Sequence, residues 1–284
     1  VLMVPGTGEL ASKFFEPNLG KLAQGNKWNV CYLDVPNDSV GDMQVNAEYV
    51  AFAIGSLFRS TNSKIRIVAH SQGCTNVQWA LTFWPSGRTK VASFVAMGPA
   101  WEGTTISGLI NHIRAALANG KEVASVVQQT TGSKFLEALK KHGGLEMHVP
   151  TTSIMTNTDE IVIPYSSGEK LKGATNIVVQ KICSKTGFKG IVDHFTLVTN
   201  SISQFAMLDA FASKNGMADL EAIEKDKTNL CADPALWTRF TRIVGLVVTF
   251  APKMVKSVKE TVFTGDGKAT IVTAEPPLKP YAAK

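Results

Sequence analysis

The sequence has few charged residues, no long apolar run and no basic cluster. Only 18% of its 284 residues are charged and 44% are hydrophobic, which excludes a disordered chain and is typical of a globular protein with a large core. The net charge of +6 comes from scattered lysines and arginines, and no basic run is interleaved with aromatic residues, so we expect no nucleic-acid binding. The longest apolar stretch, 243–252, has about half the length of a membrane span.

Cysteine is also scarce. The four cysteines are Cys31, Cys74, Cys183 and Cys231. They lack the close spacing of zinc-binding cysteines, so we expect no metal site. The spacing leaves two possibilities open, reduced core residues or two disulfides. The chain opens directly into an apolar segment without Met or a signal peptide, and we expect that a preceding segment is removed by processing or lies outside this sequence.

Short apolar segments alternate with segments of helical periodicity along the chain. The strand-like segments are 1–5, 29–36, 64–70, 91–99, 151–160 and 176–183, and the helix-like segments are 42–61, 72–84, 106–120 and 132–144. This alternation predicts an α/β fold, with a mostly parallel central sheet flanked by helices on both faces. We find no repeat or linker and expect one domain over residues 1–284, with an extended C-terminal tail, about 260–284, that wraps the surface.

A serine stands where the third predicted strand becomes a helix, in the segment AHSQG, 69–73. Ligand and active sites of parallel sheets form at the carboxyl ends of strands. Ser71, followed by Gly73, predicts a nucleophile elbow, a sharp turn that requires small flanking residues. Ala69 replaces the first glycine of the usual G-x-S-x-G pattern. The alternative is that Ser71 only caps the helix.

A glycine-flanked threonine follows the first predicted strand, in VPGTG, 4–8. Such a loop can direct the backbone N–H and the hydroxyl of Thr7 toward the elbow. Together with the N–H of Gln72, this predicts an oxyanion hole for acyl transfer. The alternative is a plain turn, which accounts for the glycines but not for the threonine.

An acid and a histidine follow the serine in the chain order of α/β-hydrolases. His194, past the last predicted strand, is the candidate base, and Asp159, at the end of the fifth predicted strand, is the candidate that orients its ring. The alternative for Asp159 is a turn residue. Asp193 adjoins His194, but neighbouring side chains diverge. His70 precedes the serine on a strand, where side chains alternate, and we expect it to point elsewhere.

With these segments together, the sequence resembles the fungal lipase B family of α/β-hydrolases. The matching segments are VLMVPGTG, DMQVNAEYV, VQWALTFWPSGRTKV, SVVQQTTGS, GGLEMHVPTTSIMTNTDEIVIP and IVDHF, in consistent order from Val1 to about Cys231. The resemblance implies an α/β-hydrolase fold and a secreted, monomeric fungal serine lipase or esterase. It also implies ester or lipid substrates, contact with a lipid–water interface, and no metal or organic cofactor.

The resemblance also assigns roles to individual residues. It implies Ser71 as nucleophile, Asp159 as acid, His194 as base, Thr7 and Gln72 as the oxyanion hole, Gln129 and Ile161 as pocket residues, and a disulfide between Cys183 and Cys231. Cys31 matches a family cysteine whose disulfide partner would lie before Val1. We therefore expect Cys31 to be unpaired or its partner to be missing from this sequence. We expect Cys74 to be a buried free thiol.

The sequence departs from the family most sharply at His70, where the family's lipase has a tryptophan before the nucleophile. We therefore predict that His70 contacts the substrate and makes the alcohol side of the pocket roomier or more polar. The alternative is that His70 faces the core. A second departure is Ala100, which replaces an acidic residue near the acyl pocket.

We therefore expect a serine carboxylester hydrolase that cleaves acylglycerols and other esters through an acyl-enzyme, with water, an alcohol or an amine as acceptor. Aliphatic residues in 106–120 and 236–250 would supply apolar walls. One alternative is a short-chain esterase or cutinase-like polyester hydrolase with weak triglyceride activity. The other is a catalytically silent binding protein on the same fold.

Overall fold

The computed structural model describes residues 1–105, 122–184, 192–232 and 271–284. Its strands are β1 (Leu2–Val4), β2 (Cys31–Tyr32), β3 (Ile65–His70), β4 (Val91–Met97), β5 (Glu122–Val123), β6 (Thr151–Met155), β7 (Thr175–Val178) and β8 (Ile271–Val272). Six of them form the central sheet in the order β2-β1-β3-β4-β6-β7, and each neighbouring pair is parallel. Strands β5 and β8 form a separate antiparallel pair.

Each of the six strand-like segments contains a strand of the central sheet, so the predicted parallel sheet is confirmed. Three predicted strand ends are wrong by more than two residues. The strand within 29–36 ends at Tyr32. The strand that begins at Thr151 ends at Met155 rather than at Glu160. The residues that follow form a turn, in which the side chain of Asp159 accepts the N–H groups of Ile161 and Val162. The segment 176–183 is a strand only to Val178 and then a helix, since a short apolar run fits either period.

The described helices flank the sheet. They are α1 (Ala11–Phe15), α2 (Lys21–Gly25), α3 (Met43–Thr61), α4 (Gln72–Phe83), α5 (Ala124–Gln128), α6 (Lys134–Lys141), α7 (Val179–Cys183), α8 (Ser201–Ala212) and α9 (Leu220–Cys231). The expectations for 42–61, 72–84 and 132–144 are confirmed, and the expected helix 106–120 lies outside the described residues. Helix α3 begins after Asp42, whose side chain accepts the N–H of Gln44, and ends at Asn62 in the left-handed region, φ 48°.

Two hydrophobic cores cover the two faces of the sheet, and the alternation of side chains along each strand divides the residues between them. Val68 and Val95 pack with α1, α8 and α9, whereas Ile67 and Phe94 pack with α3 and α4. All four side chains are fully buried. Burial on both faces explains why these strands are predominantly apolar. It also leaves the carboxyl edge of the sheet as the place where polar side chains meet.

Cys183 and Cys231 form a disulfide that joins the ends of α7 and α9, with the Cα atoms 5.7 Å apart. This is the pairing that the family resemblance implied. Cys31 and Cys74 are free, so the possibility of two disulfides is wrong. Cys74 is buried, as expected, and burial raises the pKa of its thiol well above the ordinary value.

The tail, residues 271–284, lies along α3, α4 and α6. Glu275 accepts the first N–H groups of α6, from Lys134 and Phe135, each at 2.8 Å. The ring of Tyr281 packs against Trp84 at 5.0 Å. This part of the tail therefore packs on three helices, and 260–270 lies outside the described residues. In the described part of the chain, no helix combines the length and the apolar character that crossing a membrane requires.

Candidate active site

Ser71 forms a strained elbow between β3 and α4. Its backbone has φ 53° and ψ −127°, and its side chain makes no capping hydrogen bond to the helix. A helix-capping serine has extended backbone angles and accepts an N–H from the first turn. The interpretation of Ser71 as a cap is therefore wrong. The ψ of Ser71 also places it outside the left-handed helical region that residues such as Asn62 adopt at helix ends, and strained backbone of this kind clusters at functional sites.

Two positions around the elbow require glycine, because other atoms lie too close to leave room for a Cβ. A Cβ at Gly73 would lie 2.5 Å from the carbonyl oxygen of Pro5 and 2.6 Å from that of Val4. A Cβ at Gly6 would lie 2.9 Å from the Cβ of Ser71. The loop after β1 therefore lies directly against the serine.

Asp159 and His194 form a buried acid–histidine pair. His194 Nδ1 lies 2.9 Å from Asp159 Oδ2, and each side chain is 1% exposed. The second carboxylate oxygen accepts the N–H groups of Ile161 and Val162, at 2.9 and 2.7 Å. Burial by itself raises the pKa of Asp159, but the charge of His194 and these hydrogen bonds outweigh burial, so the pKa is lowered. The carboxylate is therefore fixed in orientation and ionised.

The other ring nitrogen, His194 Nε2, is buried and has no hydrogen-bond partner among the described residues. A buried polar atom without a partner is rare and calls for an explanation, such as a catalytic role. Burial lowers the pKa of His194, but the charge of Asp159 and its hydrogen bond outweigh burial and raise the pKa above its ordinary value. The backbone N–H of His194 donates to Glu160 Oε2 at 3.0 Å. Glu160 was not found from the sequence.

Ser71 and His194 both contact the end of β4. The N–H of Ser71 donates to the carbonyl oxygen of Met97 at 2.9 Å. A Cβ at Gly98, the next residue, would lie 2.9 Å from Cε1 of His194. The adjacent carboxylate, Asp193, instead accepts the N–H groups of Phe195 and Thr196 and caps its own turn. The acid that reaches the imidazole is thus Asp159.

Thr7, Gln72 and Gln129 share one hydrogen-bond network beside the serine. Thr7 Oγ1 donates to Gln72 Oε1 at 2.5 Å, and Gln129 Nε2 donates to Thr7 Oγ1 at 2.9 Å. The N–H of Gln72 has no acceptor within α4, because Gln72 is the first residue of that helix. The N–H groups of Gly6 and Gly8 donate to Glu9 Oε2 and the Asp38 carbonyl. For the N–H of Thr7, no acceptor lies among the described residues.

Two known lipases are similar to this chain, one in sequence and one in fold. Lipase B of Pseudozyma antarctica is 35% identical over 224 residues, which cover 77% of this chain and 63% of that protein. The crystal structure of Aspergillus fumigatus lipase B matches with a TM-score of 0.81 and 28% identity, covering 99% of this chain and 66% of that chain. The chain is lipase B-like. Its fold is the α/β-hydrolase fold.

The other comparisons of this lipase B-like chain are weaker. The mature form of Bacillus licheniformis lipase BlEst2 matches with a TM-score of 0.52 and 18% identity, covering 69% of this chain and 85% of that chain. That likeness concerns the fold alone. No protein-family model matches the chain. The chain spans less than two thirds of the length of Lipase B, 63%.

The two expected pocket residues of this lipase B-like chain, Gln129 and Ile161, lie in different surroundings. Gln129 lies beside the predicted oxyanion hole, since it donates to Thr7 and to Gln72 Oε1, at 3.1 Å for the latter. Ile161 is half-buried in the turn after Asp159, and its carbonyl oxygen accepts the hydroxyl of Thr104 at 2.7 Å. The segments expected to form the apolar walls, 106–120 and 236–250, lie outside the described residues.

His70 does not line the pocket, and that prediction is wrong. Its side chain is fully buried, with Nδ1 2.7 Å from Glu9 Oε1 and Nε2 3.0 Å from the carbonyl oxygen of His194. The reason is the alternation along β3, which places His70 on the same face as Val68, inside one of the two cores. Glu9 was not found from the sequence, although a glutamate in the apolar segment VPGTGELA was the available signal.

Proposed function

We propose that this chain is a serine carboxylester hydrolase of the lipase or esterase type. It cleaves acylglycerols and other carboxylic esters through an acyl-enzyme. The observation that carries the proposal is the buried Asp159–His194 pair, whose free Nε2 lies at the same sheet edge as the strained elbow of Ser71. The likeness to Lipase B supports an ester as the substrate.

In the proposed reaction, Ser71 Oγ attacks the ester carbonyl while His194 Nε2 takes the serine proton. Asp159 holds the imidazole through Nδ1 and stabilises the charge that the ring acquires. Because Asp159 is itself held by two backbone N–H groups, it cannot turn away as the ring becomes charged.

The tetrahedral intermediate places a negative oxygen near the N–H groups of Thr7 and Gln72, which would form the oxyanion hole. The hydroxyl of Thr7 donates to Gln72 Oε1 in this structure, and it would rotate toward the oxyanion to add a third hydrogen bond. The amide of Gln129, which donates to Thr7 Oγ1, would hold that oxygen in place during the rotation.

Collapse of the intermediate breaks the bond to the alcohol, which leaves with the proton from His194. The acyl group stays on Ser71 until water attacks it with His194 again as base, or until an alcohol or amine takes its place. No step in this scheme uses a metal or an organic cofactor.

We also propose that the protein is a secreted, single-domain monomer that works at a lipid–water interface. Support for secretion comes from the disulfide between Cys183 and Cys231, since structural disulfides persist in oxidising compartments. The lipase relatives support contact with lipid.

The substitution Ser71→Ala tests the proposed function. We expect hydrolysis of a soluble p-nitrophenyl ester and of emulsified tributyrin to fall by about 10⁴-fold or more, because the nucleophile acts as one unit with its base. A fluorophosphonate should label the unchanged protein at Ser71. Ser63→Ala, at an exposed serine, is the control and should keep full activity. Turnover by Ser71→Ala at the unchanged rate would refute the proposal.

A further inference from the structure

A second buried acid–histidine pair lies beneath the first. Glu9 is 2% exposed and His70 is fully buried, with Glu9 Oε1 2.7 Å from His70 Nδ1. The ring of His70 packs against two other rings, those of Phe14 and His194, with centroid distances of 4.8 Å to each. These ring contacts restrict the rotation of the imidazole.

The acceptors around His70 determine where its protons lie. The carbonyl oxygen of His194, 3.0 Å from Nε2, can only accept, so Nε2 carries a hydrogen. Glu9 Oε2 accepts the N–H of Gly6 at 2.6 Å, and Glu9 Oε1 shares one proton with Nδ1. Both ring nitrogens of His70 and both carboxyl oxygens of Glu9 therefore take part in hydrogen bonds.

These bonds join two loops that carry opposite parts of the proposed site. Glu9 holds Gly6, the residue before Thr7, and His70 holds the backbone of His194. The two loops are far apart in the chain, since 61 residues separate Glu9 from His70 and 124 separate His70 from His194. A rigid link between them sets the distance from the oxyanion hole to the base.

We propose that Glu9 and His70 form a positioning pair that keeps the Thr7 loop and His194 in register for the acyl-transfer step. The proposal rests on the proposed function of Ser71, Thr7 and His194. A positioning pair acts on the transition state, in which the proton and the negative oxygen must be in place together. It therefore affects kcat more than KM.

Three substitutions distinguish the effect of the Glu9–His70 hydrogen bonds on kcat from the effect of packing alone. Glu9→Met and His70→Phe keep volume but remove the link, and we expect kcat per active site to fall about 10- to 100-fold, with KM changed less than about threefold. Glu9→Gln can keep the link, because its amide oxygen accepts from Gly6 and its NH₂ donates to a neutral His70. It should retain a kcat at least about fivefold above that of Glu9→Met. The double variant should lose no more than either single one.

The matched control is Gln78→Met. Gln78 is also fully buried, and its amide donates to the carbonyl oxygens of Gly144 and Glu146 at 2.9 and 2.8 Å. Its loss should lower the thermal midpoint without lowering kcat. Active sites are counted by titration with a phosphonate that reacts with the serine, and folding is checked by circular dichroism.

The experiment distinguishes two failures. If Ser71→Ala still hydrolyses esters, the proposed function is wrong. If Ser71→Ala is inactive but Glu9→Met and His70→Phe keep the unchanged kcat per titrated site, only the positioning pair is refuted.

A measurement on the unchanged protein applies if the variants do not fold. The ring N–H resonances of His70, assigned by ¹⁵N-histidine NMR, should shift when a phosphonate occupies Ser71, because His70 is bonded to the backbone of His194. Resonances that stay in place would overturn the proposal.

Discussion

At the scale of single residues, Asp159 controls the protonation of the proposed base. Burial would lower the pKa of His194, and the nearby carboxylate raises it above the ordinary value of 6.5. The base must be neutral to accept the serine proton. Activity should therefore rise with pH through a value above that of an ordinary histidine.

Asp159→Asn should shift this rise to lower pH. The substitution removes the charge that stabilises the protonated ring, so the pKa of His194 falls and the acid limb of the kcat/KM profile moves down in pH. The plateau should also fall by about 10³- to 10⁴-fold because the ring loses its orientation. Asp193→Asn is the control, since Asp193 bonds only its own turn among the contacts described. A larger loss in the control would show that the acid is misassigned.

Thr7→Val tests the oxyanion hole at a single hydroxyl. Valine keeps the branched shape and the backbone N–H but removes the donor, and we expect kcat to fall about 10²-fold, the scale of one lost oxyanion donor. Binding of a non-reacting ketone analogue should change little, because the hydroxyl acts on the negative oxygen of the intermediate. An unchanged kcat would assign Thr7 to the turn only.

At the scale of secondary structure, the elbow depends on the close approach of α4 to the loop after β1. Gly73→Ala would place a Cβ 2.5 Å from the Pro5 carbonyl oxygen, so the helix must move. We expect a loss of about 1–3 kcal/mol in unfolding free energy and a lower kcat from the displaced Ser71. Thermal unfolding and steady-state kinetics measure both effects.

Gly25→Ala is the matched control for the elbow. Gly25 ends α2, and a Cβ there meets nothing within 4 Å. Alanine in a helix is favoured over glycine by about 0.5–1 kcal/mol, so stability should stay the same or rise and kcat should not change. Equal damage by both substitutions would mean that backbone flexibility, not the Pro5 contact, explains the need for glycine.

Element boundaries illustrate how far the sequence alone reaches at this scale. The strands β1, β3 and β4 were predicted within a few residues because their apolar runs are long and end at glycine or polar turns. The helix α7 was predicted as strand because VVQKIC fits both periods. The helices α8 and α9 were not predicted; α8 packs on the sheet, and α9 packs on α8 and α7.

At the scale of the whole molecule, the tail from Ile271 to Lys284 links three helices. Its contacts include the Glu275 cap of α6, two hydrogen bonds to the Gln44 amide and the packing of Tyr281 on Trp84. Phe83 is a further aromatic neighbour of Tyr281, at 5.4 Å. These contacts lie on the α3 and α4 side of the sheet, and none of them involves Ser71, Asp159 or His194.

Deletion of residues 275–284 should therefore lower stability more than catalysis. The lost cap is worth about 1 kcal/mol and the aromatic contacts about 1–2 kcal/mol more, which together should lower the thermal midpoint by several degrees. The kcat of the folded fraction should be kept. Deletion of Ala283 and Lys284 alone is the control, since, of the contacts described, it removes only the hydrogen bond from Lys141 to Lys284 and the one from the N–H of Ala283 to the carbonyl oxygen of Lys279. A tail deletion as stable as the full chain would show that these contacts are incidental.

The sequence by itself predicted the alternation of strands and helices along the chain, and it pointed to the candidate site residues in their order along the chain. These features are local, because an apolar period, a turn glycine or a serine after a strand is visible within a few residues. The disulfide between Cys183 and Cys231 came from family resemblance rather than from spacing.

Only the tertiary structure decided which side chains meet. The backbone angles of Ser71 and its missing cap hydrogen bond exclude a cap, and the loop after β1 approaches Gly73 so closely that a Cβ would not fit. The partners of His70, and the roles of Glu9 and Glu160, depend on hydrogen bonds between segments from 34 to 124 residues apart. Such bonds form only because a parallel sheet brings the carboxyl ends of distant strands to one edge. No local sequence pattern shows which of these distant residues will come into contact.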